Sequence, residues 1–441
     1  MTPKPAAGPG PSDRPGPPQA EGRPIHPSPE RVMLANGLTV VLQPHDAADV
    51  AAVHLWVRAG ARDERPHEAG LSHFIEHLLF KGTPLRGPGV IDETIAALGG
   101  EMNAATSQDW TYFHVVLPAE RLDTALDVLA DAAQHAAFDP VEVDRERHVV
   151  LEEIRRAEDT PSAALWRVLA RGHFGEHPYG RPVLGSAESI AGVPLEMIVD
   201  YYRRSYLPNN TTVVVAGSMP AARGLEAVQT AFGGWAPRPV PARPRRAPEA
   251  PRMPRRLEES KTLHQTYLGF AWAGAIPPDP DVYALDLVTT VLGQGRSSRL
   301  VQALRERLGL VSGIGSSFYL QHDAGTIAVT ARTATARYAE IETAVLAEVA
   351  RLSEELVTEE EFARAMTAVE AEHAFGGETA EGAAYALGTA DAVWTIEFEL
   401  GYVDAVRRVT REDMREAARR HLRLDRFTGA VVGPPGPGGG Q

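Results

Sequence analysis

The stretch Gly70-Leu71-Ser72-His73-Phe74-Ile75-Glu76-His77-Leu78-Leu79-Phe80-Lys81-Gly82-Thr83 decides how the rest of the chain is read. At about 100° per residue, Leu71, Phe74, Ile75, Leu78 and Leu79 make the i, i+3, i+4, i+7, i+8 stripe of a buried helix. His73, Glu76 and His77 share the opposite flank. Two imidazoles four residues apart converge on one point, the geometry a tetrahedral Zn²⁺ asks of a helix, with a carboxylate beside them to take a proton from water. The competing interpretation is a merely solvated polar flank, and the rest of the chain has to decide between them.

With 441 residues the chain is too long for one ordinary core and divides into two or more domains. A formal charge of −14 argues against a nucleic-acid partner and against an anionic membrane surface. Zero cysteines exclude a disulfide framework and a thiolate zinc site, so His and carboxylate must hold any zinc. Residues 1–30 are Pro-, Gly- and Ala-rich, lack the apolar run of a signal peptide, and are expected to be a disordered leader. No segment approaches a membrane-spanning length, and the expected location is cytoplasmic.

Further along, Val32–Leu34 and Leu38–Leu42 flank Asn36-Gly37 as a hairpin, and Val53–Val57 is a strand leading toward the motif helix. Glu101–Leu117, rich in Thr, Tyr, Phe and Val, reads as a strand pair. A helix is expected from Pro140 to about Glu158. On its wheel Glu146 and Glu153 lie about 20° apart, bordering the stripe of Val143, Val149, Val150, Ile154 and Ala157. Two carboxylates there either snorkel from a helix edge or meet a cation, because a buried charge is costly unless paired.

The second half, 257–434, is a degenerate copy of the first, 31–235. Val193–Gly217 and Val409–Gly433 have equal length, and each runs helix, paired arginines, then a Val-rich strand ending in Gly. Tyr267–Ala275 and the helix Tyr283–Leu292 parallel the strand and helix around the motif, yet Ala284–Val291 holds no histidine. Residues 236–256, dominated by Pro, Arg and Ala, are expected to be a solvated linker, and 435–441 a flexible tail. Gly293-Gln294-Gly295-Arg296 lacks the full spacing of a phosphate loop.

These residues resemble the inverted-zincin metallopeptidases of the pitrilysin, insulin-degrading enzyme and mitochondrial processing peptidase family, in a short form of bacterial type. H-x-x-E-H is that group's signature. Asn103-Ala104-Ala105-Thr106, Val150-Leu151-Glu152-Glu153-Ile154 and His177-Pro178-Tyr179-Gly180 add to the likeness, which spans nearly all of Arg31–Gly433. It implies an α+β clamshell of two homologous halves, each an antiparallel-rich sheet covered by helices. It also implies one Zn²⁺ per chain, held by His73, His77 and Glu153, with Glu76 as base and Glu146 orienting a ligating imidazole. Glu152 would point about 100° away from Glu153. The resemblance further implies that Asn103, Ala104, Ala105 and Thr106 form the edge on which a peptide substrate pairs. The family's second half usually supplies an Arg and, seven positions on, a Tyr; Arg305 matches the first, but position 312 is Ser. A homologous partner subunit bringing the Arg/Tyr pair, or otherwise a homodimer, is therefore expected. The alternatives to a peptidase are a catalytically silent assembly subunit of the respiratory core-protein type and a metal-binding chaperone of peptide maturation.

Overall fold

The computed structural model describes residues 28–334 and 337–434. The expected leader falls almost wholly, and the expected tail wholly, outside the described residues. Two sheets organise the chain. The first is built from β1 (Glu30–Met33), β2 (Thr39–Pro44), β3 (Val50–Val57), β4 (Glu101–Thr106), β5 (Thr111–Pro118) and β6 (Thr211–Gly217), in the order β1-β2-β6-β3-β5-β4. The second contains β7 (Arg255–Ser260), β8 (Thr266–Gly274), β9 (Gly313–Leu320), β10 (Gly325–Thr333) and β11 (Thr428–Gly433), in the order β7-β11-β8-β10-β9. Apart from β1, the two orders are the same. β2 runs parallel to β6 as β7 does to β11, and the remaining pairs are antiparallel. This is the two-domain α+β clamshell, each half with its own core.

The hairpin β1–β2 turns at Asn36-Gly37, where Gly37 takes φ +82° and the Asn36 side chain accepts from Leu38 N. On one face of the first sheet, Val53, Leu55, Phe113 and Val115 pack against Leu71, Phe74, Ile75 and Leu78 of the motif helix, all buried. In the second sheet, Phe270, Trp272, Ile327 and Val329 meet the helix Asp281–Gly293 in the same way.

The outer face of each sheet is covered by a helix from the other half. Ala380–Val393 lies across β3 and β6 and buries Trp56, Val214, Ala384 and Leu387. Pro161–Phe174 lies across β8 and β11 and buries Leu165, Leu169, Ala271 and Val432. The approach is close enough to require glycine. A Cβ on Gly388 would sit 1.9 Å from Trp56 Nε1, and one on Gly172 2.3 Å from Leu257 Cδ1. Gly388 follows Gly172 by the same interval that separates Val409 from Val193.

The connection between the halves is exposed along most of its length, as expected, and it is also pinned at several points. Arg243 donates to both Asp63 oxygens at 3.0 Å, Pro244 O accepts from Arg62, Arg245 donates to Pro277 O and Arg246 N to Asp323. Strand β7 also begins inside the expected linker, at Arg255. These anchors leave no local signal, because the carboxylate partners lie far away along the chain. No helix of the described residues is long and apolar enough to cross a membrane.

Candidate metal centre

The motif helix spans Leu71–Leu79 and starts from Gly70 in a left-handed conformation, φ +93°. No side chain at its N-terminal position caps it. The buried carboxylate of Glu64 does so from a distance, accepting from Gly70 N at 2.9 Å and Ser72 N at 2.7 Å. Burial pushes the Glu64 carboxyl up to about 7, against the pull of these two donors. The start of the helix is thus fixed before any histidine is considered.

A second helix, Pro140–Asp159, crosses the first with its N-terminus capped by Asp139. Between them, one ligand atom from each of His73, His77 and Glu153 lies within 4.8 Å of the other two. His73 Nε2 is 3.4 Å and His77 Nε2 3.5 Å from Glu153 Oε2. A zinc tetrahedron with bonds of about 2.1 Å has ligand–ligand edges of about 3.4 Å, so this donor set fits Zn²⁺. Burial and the neighbouring His77 lower the His73 pKa to about 3, leaving its imidazole neutral, as a ligand must be. Glu146, buried, accepts from His77 Nδ1 at 3.2 Å and pairs with Lys81 Nζ at 2.9 Å. That bond fixes which His77 nitrogen faces Glu153.

Glu76 lies beside this cluster, its Oε2 accepting from the Thr106 hydroxyl. Burial raises its pKa, while the Thr106 donor and His77 pull the other way. A carboxyl lifted toward neutrality is suited to exchange protons with water and an amine. Thr106 ends β4, which has a single neighbour, β5, and so leaves one edge open along Asn103-Ala104-Ala105-Thr106.

Among the sequence-predicted residues, the structure brings together His73, His77, Glu153, Glu146 and Glu76, with Thr106 in contact. Glu152 points away and pairs with Arg155 on the surface. Glu153 is more open than the wheel implied, its side chain 44% exposed against 7% for Glu146. Arg305 is not joined to the cluster. It lies on Val301–Arg307 of the second half, pairs with Glu306 at 3.0 Å, and among the described residues makes no hydrogen bond or ion pair with the cluster or with β4. Ser312, just before β9, is spent on the neighbouring strand β10, its hydroxyl donating to Arg332 O.

Sequence reasoning missed the buried network that joins the halves beside β4. Arg62 donates to Asp323 Oδ2 and Oδ1 at 2.9 and 3.0 Å. Tyr179, from the His177-Pro178-Tyr179-Gly180 stretch, donates to Asp109 Oδ1 at 2.7 Å and accepts from Asp323 N. His322 N donates to the other Asp109 oxygen at 3.0 Å. Burial would raise the Asp323 pKa, but the His177 ring 3.3 Å away, the His322 ring bonded to it at 2.8 Å and the Arg62 charge hold it far below the usual carboxylate range. Asp109 sits at the tip of the β4–β5 hairpin, so the second half grips the hairpin that carries the open edge. Only the singled-out motif around Tyr179 hinted at this.

A two-domain α+β chain with a His/His/Glu cluster in one half matches known proteins along most of its length. Residues 39–187 match the family described as insulinase (peptidase family M16), and 192–369 the one described as peptidase M16 inactive domain. An uncharacterized zinc protease of Mycobacterium bovis is 32% identical over 421 residues, 93% of this chain and 94% of its own. Another, from Bacillus subtilis, is 30% identical over 333 residues, 75% and 80% of the two chains. The chain belongs to peptidase family M16. In fold it is similar to a protease from Helicobacter pylori, with a TM-score of 0.88 at 23% identity over 92% of this chain and all of that one. A chain of complex III from Candida albicans has the same fold, with a TM-score of 0.79 at 18% identity over 92% and 95%.

Proposed function

We propose that this chain is a zinc metalloendopeptidase hydrolysing unfolded peptides or presequence-like segments. The reading is carried by the convergence of His73, His77 and Glu153 on one point, with the Glu76 carboxylate alongside. Zinc held there would polarise the scissile carbonyl and acidify a water molecule. Glu76 takes the proton from the attacking water and delivers it to the leaving amine, and Thr106 holds that carboxylate in place. Glu146 keeps His77 in its ligating orientation. The substrate adds to β4 as a further strand along Asn103, Ala104, Ala105 and Thr106, which binds backbone with little regard for side chains.

Relatives named zinc proteases support the hydrolase over the silent assembly subunit, and an intact ligand set gives a scaffold nothing to do. With Ser312 where the family's Tyr is expected and Arg305 turned to Glu306, the oxyanion-stabilising pair comes from a homologous partner subunit. The test is cleavage of a panel of unfolded peptides by the zinc-loaded chain, with and without chelator and with and without that partner. Chelator is expected to abolish turnover, and Glu76→Gln to abolish it while zinc stays bound. Turnover indifferent to both would refute the peptidase. Ordinary enzymatic rates from the chain alone would refute only the partner.

A further inference from the structure

The two histidines of the cluster are held in different ways. His77 directs Nδ1 at the buried Glu146 carboxylate, which fixes its ring. His73 Nδ1 is also buried, yet it has no hydrogen-bond partner among the described residues. With no acceptor behind the ring, the position of His73 Nε2 rests on the backbone that carries the side chain. That backbone is the first turn of a helix only nine residues long, Leu71–Leu79. Helices this short have little stability of their own, and the first turn, with its unpaired N–H groups, is where they fray.

Glu64 closes that turn. Its Oε2 accepts from Gly70 N and its Oε1 from Ser72 N, so one carboxylate spans the residues directly before His73. Its negative charge also faces the positive end of the helix dipole. The Ser72 hydroxyl meets the Tyr201 hydroxyl at 2.7 Å, a contact that holds a side chain and leaves the backbone donors to Glu64. The carboxylate itself stands on a fixed support. Glu64 O accepts from Arg181 at 3.0 Å, and two residues earlier Arg62 is bonded to Asp323 of the second half. The segment between Glu64 and the helix has no room to shift. A Cβ on Gly70 would come 2.7 Å from Leu184 O, and one on Gly185 2.5 Å from Ala69 O.

Resting on the zinc reading above, we propose that Glu64 is the positioning residue of His73, doing through the backbone of the first helical turn what Glu146 does through the ring of His77. The two histidines are then aligned from opposite ends of the motif helix, one by a carboxylate on the helix that crosses it and one by a carboxylate on the loop that leads into it.

The test compares Glu64→Gln and Glu64→Asp with Glu68→Gln in the full chain. Glu68 is buried in the same loop but bonds to Arg65 N and Arg204 instead of the motif helix. Gln keeps the size of Glu64 and turns an amide N–H₂ toward one of the two donors, while Asp is one methylene too short to reach both. Each Glu64 variant is expected to weaken zinc binding about tenfold in a chelator competition and to shift the visible absorption of the Co²⁺-substituted protein. On an unstructured peptide kcat should fall with KM little changed, because β4 is untouched. Glu68→Gln should cost stability in urea and leave the affinity and the spectrum as they are. Unchanged affinity and spectrum in the Glu64 variants, or the same losses in Glu68→Gln, overturn the inference and leave the zinc reading standing. A wild-type chain that takes up no zinc refutes that reading itself, and this inference with it. If neither Glu64 variant folds, hydrogen exchange of the zinc-free wild type decides. Residues 70–74 are expected to be as protected as 75–79 before any metal binds, and fast exchange confined to 70–74 overturns the role of Glu64.

Discussion

The helices Leu71–Leu79 and Asp281–Gly293 hold the same place in the two halves, each following a central strand and lying on its sheet. They differ in what the rest of their surface does. The first turns His73, Glu76 and His77 toward a second helix that answers with Glu146 and Glu153. The second is buried nearly all round, and the helix facing it, Glu359–Gly376, offers Ala365 and Val369 to the core. The scaffold therefore does not need the His/His/Glu cluster to pack, and that cluster is an addition to one copy of a frame that the other copy uses for packing alone.

The widest test of that contrast is Glu76→Gln, expected to lower kcat by roughly 10²–10⁴ with zinc content unchanged by metal analysis. A substitution in the other helix, Thr290→Val, should alter neither quantity. Next is the network that ties the halves. Asp323→Ala leaves Arg62 buried without its main partner and is expected to cost about 3–5 kcal/mol in urea unfolding. A loss under about 1 kcal/mol would mean that the halves are held by their exchanged helices alone. Glu146→Gln should weaken zinc binding by about 10- to 100-fold in a chelator competition, because His77 loses its orienting acceptor. The smallest effect belongs to the metal-free half. Glu361 is pulled down to about 2 by the Arg299 guanidinium, though burial opposes this. A depressed carboxyl stabilises the fold above its unfolded pKa, near 4.5, and loses that contribution as pH falls toward 2. Solvent screening keeps it to about 1 kcal/mol. Glu361→Gln should flatten the acid limb of the stability profile over that window.

The convergence of the candidate metal-site residues was legible because its parts obey local rules. A 100° wheel places His73 and His77 on one flank and puts Glu146 and Glu153 on one edge, and the repeat shows in the equal spans 193–217 and 409–433. The wheel gives angles but not neighbours. It could not foresee that Glu153 stands more open than Glu146, that Lys81 pairs with Glu146, or that the Thr106 hydroxyl would meet Glu76. Nor could it foresee Glu64 capping the motif helix from six residues before Gly70. Arg62 and Asp323, separated by 261 positions, carry no mutual signal in a single sequence. The partners of the arginines in residues 236–256 were hidden for the same reason, since composition describes a segment and not what it lies against.

Because each sheet wears a helix borrowed from its twin, the two lobes cannot be parted at the connecting segment and expressed as separate proteins. A fragment ending near Trp235 would display Trp56 and Val214 bare to water, and one starting near Arg255 would leave Ala271 and Val432 unclothed. Such fragments should precipitate singly and recover only when refolded together, which makes the polypeptide an indivisible unit despite its duplicated plan.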